Sequence, residues 1–204
     1  MIAGMLKNTG ENAREALVDS GIDLFRRSGY VATTVDEICS AAGVTKGAFF
    51  HHFPSKEALA TECLRKWQGQ MATLHLSAAY QAIADPVEKV LASIDFMIEV
   101  FRNPDVQKSC LAGTTVQEIS ETNPVLREAA QNCFLQGEAY FKSLLDDACR
   151  SCHQTLDTAS LARHWMGTIQ GSLLLWKASR NAEVISENLM HFKSYLAGLL
   201  REKV

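Results

Sequence analysis

The chain has 204 residues, 47% hydrophobic and 21% charged, with 12 Gly and 4 Pro, which excludes a disordered or collagen-like polymer and allows a sizeable core. Twenty Lys and Arg stand against 23 Asp and Glu, a formal net charge of −3, so no overall basic character points to a polyanionic partner. Met1 to Glu11 holds no apolar signal-like run, and no stretch reaches the ~18 uninterrupted apolar residues a membrane helix needs. A cytoplasmic protein is expected, with its six cysteines (Cys39, Cys63, Cys110, Cys133, Cys149, Cys152) as thiols rather than a disulfide framework.

Helical spacing recurs almost everywhere and strand alternation nowhere, which predicts an all-α fold. Leu17, Gly21, Leu24 and Phe25 share one face of a first helix running from about Thr9 to a stop at Gly29. A second, short helix follows Thr34, where Thr34 and Glu37 have the spacing of a capping box, and it ends at Gly43. Thr45 caps a third helix, Lys46-Gly47-Ala48-Phe49-Phe50-His51, and Ser55 caps a fourth that opens with Lys56-Glu57. Breaks at Asp85-Pro86, Asn103-Pro104-Asp105, Asn123-Pro124 and Gln154 to Thr158 then divide helices at about 56–80, 86–102, 108–120, 124–152, 158–180 and 183–202.

Charge is unevenly distributed over this layout. Residues 1–56 carry six bases and six acids, yet Ile38 to Lys56 contains no acid while holding Lys46, His51, His52 and Lys56. That stretch is electrostatically friendly to phosphate. It is also a helix, a Gly-containing turn and a second short helix, the arrangement that lays a recognition helix in the DNA major groove. Ile38, Ala41, Ala42, Val44 and Phe49 supply an apolar interior, while Thr45, Lys46, Gly47 and Ala48 crowd the start of the third helix, where small side chains and free N–H groups suit a groove and a phosphate.

The run from Leu17 to Tyr30 (LVDSGIDLFRRSGY) and from Thr33 to Leu59 (TTVDEICSAAGVTKGAFFHHFPSKEAL) resembles the N-terminal domain of the TetR/AcrR family of transcriptional regulators. The resemblance implies a nine-helix architecture, with a helix-turn-helix DNA-binding domain over 1–56 and a helical ligand-binding and dimerisation domain over 57–204. It implies that Thr34 and Lys56 touch backbone phosphates, that Thr45, Lys46, Gly47 and Ala48 approach base edges or phosphate, and that His51 and His52 face the backbone. Phe50 stands where Tyr is usual, which removes a phenolic phosphate contact. Gly21 stands where Ala is usual, at a cost of roughly 0.5–1 kcal/mol in helix propensity, and indicates close helix packing.

Leu161, Trp165, Ile169, Leu173 and Trp176 form one stripe on the eighth helix, and Leu189, Phe192, Leu196 and Leu199 a seam on the ninth. In the family the last two helices pair with their copies, which makes these residues the expected homodimer interface; the alternative is intrachain core. Phe96, Met97, Phe101, Cys110, Thr114, Gln117, Cys133, Phe134, Phe141, Trp165, Met166 and Gln170 mix aromatic surface with polar groups, a composition that suits a small apolar ligand and equally a filled core. The resemblance implies an inducer site there. The segment from Ser109 to Glu118, followed by Asn123-Pro124, is similar to the NemR-type branch, in which a cysteine matching Cys110 responds to electrophiles or oxidants.

Cys149-Arg150-Ser151-Cys152-His153 spells the c-type haem pattern, but no export signal accompanies it and no second ligand pair completes a metal site. His75, His164 and His191 read as helix-surface or partly buried residues. No cofactor is expected, and without a nucleophile elbow, phosphate loop or catalytic pair, no enzyme activity. The expected function is a repressor that binds palindromic double-stranded operator DNA and is released by an apolar or electrophilic inducer. A cysteine-sensing repressor and a purely structural helical protein are the competing readings.

Overall fold

The computed structural model describes residues 10–103, 109–181 and 183–201. Among them are nine α-helices and no strand: α1 (Gly10–Ser28), α2 (Val35–Ala42), α3 (Lys46–His52), α4 (Lys56–Leu76), α5 (Pro86–Arg102), α6 (Leu111–Ile119), α7 (Pro124–Cys152), α8 (Thr158–Ser179) and α9 (Glu183–Arg201). The all-α expectation therefore holds. The Pro104-Asp105 break and the outer ends of the first, sixth and ninth predicted helices fall outside the described residues.

The predicted caps are present. Thr34 Oγ1 accepts from the Glu37 N–H at 3.2 Å while the Glu37 carboxylate accepts from the Thr34 N–H at 2.7 Å. That reciprocal bonding holds the Glu37 carboxyl below the usual carboxylate range. Gly43 ends α2 at φ 66°, a left-handed conformation that costs glycine little. Thr45 accepts from the Ala48 N–H at 3.2 Å and Ser55 from the Ala58 N–H at 3.0 Å. Further on, Asp85, Asn123 and Asp157 cap α5, α7 and α8 in the same way.

One boundary differs from expectation. The fourth helix stops at Leu76 instead of near residue 80, and a 3₁₀ turn follows at Ala79–Ala82. The His75 carbonyl accepts the Ala78 N–H at 3.3 Å, a tighter turn than an α-helical bond, and the Gln81 amide donates to the same oxygen at 3.0 Å, while the Ser77 hydroxyl adds a bond to the Thr73 carbonyl at 2.8 Å.

The chain divides into two compact units, residues 1–69 with 111–130, and residues 70–110 with 131–204. This packing division is drawn differently from the split expected at residue 56. In the first unit α1 packs on α2, α3 and α6 around Leu17, Phe25, Ile38, Phe49 and Leu59, all at most 1% exposed. Val44 is half-buried beside them, but Ala41 points to solvent and is not part of that interior. The expected close packing at Gly21 is present: a β-carbon there would lie 2.7 Å from Cys63 Sγ.

In the second unit α5 and α8 pack on α9, and Val90, Ile94, Leu145, Ile185, Leu189 and Leu196 are fully buried. Lys193 of α9 grips Asp95 of α5 at 2.6 Å beside that core. No helix of the described residues is long and apolar enough to cross a membrane.

Candidate nucleic-acid interface

The seven-residue helix α3 turns Phe49 fully inward, where it meets Phe53 at 6.0 Å between ring centroids. The opposite side is thereby fixed outward by helical geometry. Thr45, Lys46, Gly47, Phe50 and His51 are exposed, while Ala48 and His52 are half-buried. Phe50 is 52% exposed and meets Phe49 edge to face at 5.1 Å, so about half of this side chain lies open. A β-carbon on Gly47 would meet nothing closer than Thr45 Oγ1 at 3.8 Å. Internal packing therefore does not demand glycine at that position.

Lys46 sits at the first turn of α3 with its ammonium 2.9 Å from the Asp36 carboxylate, and both side chains are more than half exposed. An exposed pair of this kind contributes little and is readily exchanged for another anion, such as a phosphate. His51 and His52 lie edge to face at 5.0 Å on the same helix. Thr34 is exposed at the start of α2, its hydroxyl engaged with Glu37.

Lys56 departs from expectation. Its ammonium turns into the loop before α2, donating to the Tyr30 and Thr33 carbonyls at 2.8 Å each and approaching Val31 O at 3.5 Å. It also sits 4.3 Å from the centre of the Tyr30 ring. Partial burial pulls its pKa below the ordinary lysine value. With its donors taken by carbonyls and its cation over an aromatic face, Lys56 braces the loop instead of presenting a free charge to phosphate.

The same loop is held from elsewhere. Gly29 adopts φ 89°, Thr33 Oγ1 donates to Gly29 O at 2.6 Å, and the Val31 N–H donates to the Glu118 carboxylate of α6 at 2.9 Å. Glu57 of α4 also receives the Asn123 amide at 2.6 Å. Nothing in the sequence marked Glu118 or Asn123 as partners of the N-terminal motif, because the contacts span 87 and 66 residues.

In the second unit the stripe expected at a dimer interface is largely internal. Leu161, Trp165, Leu173, Leu189, Phe192 and Leu196 are buried in the unit's own core, and Ile169, Trp176 and Leu199 are half-buried against it. Trp165 stacks on Phe141 at 5.1 Å. Six of these nine side chains are thus closed to a second copy, and the periodicity reported the intrachain face. The exposed large apolar residues of α8 and α9 are instead Leu174, Leu175, Met190 and Tyr195. Gly167 and Gly171 share the Leu175 side of α8 at four-residue spacing, and Gly198 lies on an exposed side of α9; all three have open space at the β-carbon.

The expected ligand-lining residues do not fall in one unit. Thr114 is buried and Gln117 exposed in the first unit, whereas the rest belong to the second. There Met97, Phe101 and Trp165 fill the core, and Met166 Cε occupies the space beside Gly137. Gln170 lies 4.0 Å from Met166 Sδ, and Phe134 is half-buried.

Phe96 leads to a cluster that sequence reasoning missed. It lies 5.8 Å from His75 and 5.6 Å from Tyr80, and His75 Nδ1 is 2.8 Å from the Tyr80 hydroxyl. Tyr80 in turn is 2.7 Å from the Tyr140 hydroxyl, which accepts from the Gln81 amide at 2.6 Å. Burial lowers the His75 pKa and, with the Tyr140 hydrogen bond, raises that of Tyr80, which favours the uncharged form of both groups.

Cys110 is half-buried immediately before α6. Burial and the neighbouring Cys110 push the Cys133 thiol up to about 12. Among the described residues no group of three or more His, Cys, Asp or Glu could hold a metal ion.

Comparison with known proteins agrees with this geometry. The family model "Bacterial regulatory proteins, tetR family" matches residues 17–63, and "Tetracyclin repressor-like, C-terminal domain" matches 86–192. The HTH-type transcriptional repressor DhaR of Mycobacterium sp. (strain GP1) is 28% identical over 178 residues, covering 86% of this chain and 88% of that protein. The repressor NemR of Escherichia coli (strain K12) is 24% identical over 207 residues, covering 95% and 98%. The reduced form of E. coli NemR superposes with a TM-score of 0.75 at 24% identity, covering 90% of this chain and 96% of that one. A TetR regulator from Chloroflexus aurantiacus reaches 0.82, also at 24%, covering 92% and 95%. With a capped, outward-facing α3 in a matched N-terminal domain and a second matched domain over most of the remainder, the chain belongs to the TetR family of bacterial transcriptional regulators.

Proposed function

We propose that this regulator is a repressor that binds a palindromic operator as a homodimer, α3 entering the major groove, and that a small-molecule inducer releases it. The observation that carries the reading is the outer side of α3: Thr45, Lys46, Gly47, Phe50 and His51 are exposed, none is acidic, and the anion on Lys46 is an exchangeable surface carboxylate, Asp36. Residues 1–56 supply the DNA contacts and 57–204 the inducer response and the dimer.

The dimer forms through the exposed side of α8 and α9, with Leu174, Leu175, Met190 and Tyr195 as apolar anchors and Gly167, Gly171 and Gly198 allowing close helix approach. A two-fold pair places two copies of α3 at half-sites roughly 34–36 Å apart, or a multiple of that, which requires an inverted repeat. The inducer acts on the second unit, where the His75–Tyr80–Tyr140–Gln81 network beside Phe96 offers hydrogen-bonding groups within an aromatic surround.

A mobility shift with DNA from upstream of the gene tests the reading. Lys46→Ala weakens binding while sedimentation still finds a dimer. Unchanged affinity in that variant removes α3 from the interface, and a monomer at micromolar concentration removes the two-fold arrangement.

A cysteine trigger is the second reading, favoured by the half-buried position of Cys110 at the entry to α6. If it applies, Cys110→Ser abolishes release of DNA by electrophiles.

A further inference from the structure

The loop from Gly29 to Thr34 ends in the cap of α2, so its path sets where α2 begins, and α2 packs directly against α3. Three attachments fix that path. Thr33 closes it on Gly29, Lys56 ties the Tyr30 and Thr33 carbonyls, and Glu118 of α6 receives the Val31 N–H at 2.9 Å. Two of these come from residues within or beside the loop's own motif. Glu118 comes from a helix 87 positions away, outside the matched N-terminal region of residues 17–63.

The approach is tight. A β-carbon on Gly29 would come within 3.0 Å of both Glu118 carboxylate oxygens, so the absence of a side chain at Gly29 is what admits the carboxylate. The left-handed φ of 89° at the same residue disfavours any replacement independently. The backbone conformation requires glycine at this position, and the missing β-carbon leaves the carboxylate the space it occupies.

We propose that Glu118 is a positioning residue for operator binding: it touches no DNA, but its acceptor at the Val31 N–H holds the loop that places α2 and, through it, α3. The proposal rests on operator binding by α3. It assigns a determinant of DNA affinity to α6 of the C-terminal part of the sequence, and it predicts a sign that electrostatics alone would reverse. A carboxylate acting only by charge repels phosphate, so neutralising it would tighten binding. A carboxylate acting as a positioned acceptor weakens binding when it is lost.

Two conservative variants separate reach from charge in the full-length protein. Glu118→Asp keeps the charge but is one methylene too short for the Val31 N–H; Glu118→Gln keeps the reach and an acceptor oxygen but no charge. Fluorescence anisotropy with a duplex selected by the wild type should show Glu118→Asp weaker by about fivefold, the size expected for the net loss of one ordinary hydrogen bond. Glu118→Gln should stay within about twofold of wild type, and the slope of log affinity against log salt should be the same for all three, because no phosphate contact is lost. Wild-type affinity in Glu118→Asp, tighter binding by Glu118→Gln, or an equal loss in both variants overturns the proposal while leaving operator binding intact. Failure of the wild type to select any duplex overturns both.

Discussion

Gly21 of α1 and Cys63 of α4 lie so close that a β-carbon on the glycine would sit 2.7 Å from the sulfur, with Leu59 Cδ2 at 3.4 Å on its other side. Cys63 has little freedom to retreat, since it is fully buried and its thiol donates to the Val18 carbonyl at 3.4 Å. Burial and nearby carboxylates push that thiol well above its ordinary pKa, so it is a packing group and not a nucleophile.

Gly21→Ala therefore sets two effects against each other. Helix propensity favours alanine by roughly 0.5–1 kcal/mol, and overpacking costs about 1–3 kcal/mol. Packing wins, and chemical denaturation should show a net loss of stability. Adding Cys63→Ala should recover most of that loss, since the obstructing sulfur is gone. A stabilised Gly21→Ala single variant would show that α1 and α4 are not in contact there.

Phe50 presents a ring with no hydroxyl on the exposed side of α3. Phe50→Tyr should leave thermal stability within about 0.5 kcal/mol, as for most surface substitutions, because the added hydroxyl faces solvent. If α3 docks as proposed, that hydroxyl gains a phosphate or base partner, and operator affinity rises about threefold. Unaltered affinity places Phe50 away from the duplex.

The Glu62 carboxylate is gripped by Arg65 at 2.6 Å and Arg14 at 2.9 Å, and the Arg65 hydrogen bonds, with Arg14 adding to them, hold its pKa down at about 2. The folded state thus prefers the ionised form more than the unfolded chain does. The resulting stabilisation is complete above the ordinary value of 4.5 and is lost as pH falls toward 2. In urea titrations Glu62→Gln should be less stable than wild type at pH 7, and the gap should narrow steadily from pH 5 to pH 2. A gap independent of pH would mean that the two arginines do not hold the carboxylate.

Thiol accessibility gives an ordering. Cys110, Cys133 and Cys152 are half-buried and Cys39, Cys63 and Cys149 are buried, but burial and the neighbouring Cys110 push the Cys133 thiol up to about 12 and so disfavour its reactive thiolate. Brief alkylation followed by peptide mass spectrometry should modify Cys110 and Cys152 first. Faster labelling of Cys63 would contradict the packing described around it.

The N-terminal motif was legible because its signals are local. Thr34 and Glu37, Gly43, Thr45 and Ser55 form caps whose partners lie within four residues, and each reads from spacing alone. What spacing could not show was which way an apolar stripe faces. Leu189 and Leu196 have the same periodicity whether they meet a second copy or α5 of their own chain, and they are buried within the chain. Lys56 illustrates a different limit. Its position in the motif suggested a phosphate contact, but the carbonyls of Tyr30 and Thr33 lie within its reach and take the ammonium. The His75–Tyr80–Tyr140 network was invisible for the same reason as Glu118, since Tyr80 and Tyr140 are 60 residues apart.

The most direct measurement is selection by the purified protein from a pool of random duplexes at moderate salt. The account predicts enrichment of an inverted repeat whose half-site centres lie one helical turn, or a multiple of it, apart, and loss of that enrichment in Lys46→Ala. A wild-type protein that retains the pool without enriching any sequence would contradict the assignment of α3 as a recognition helix.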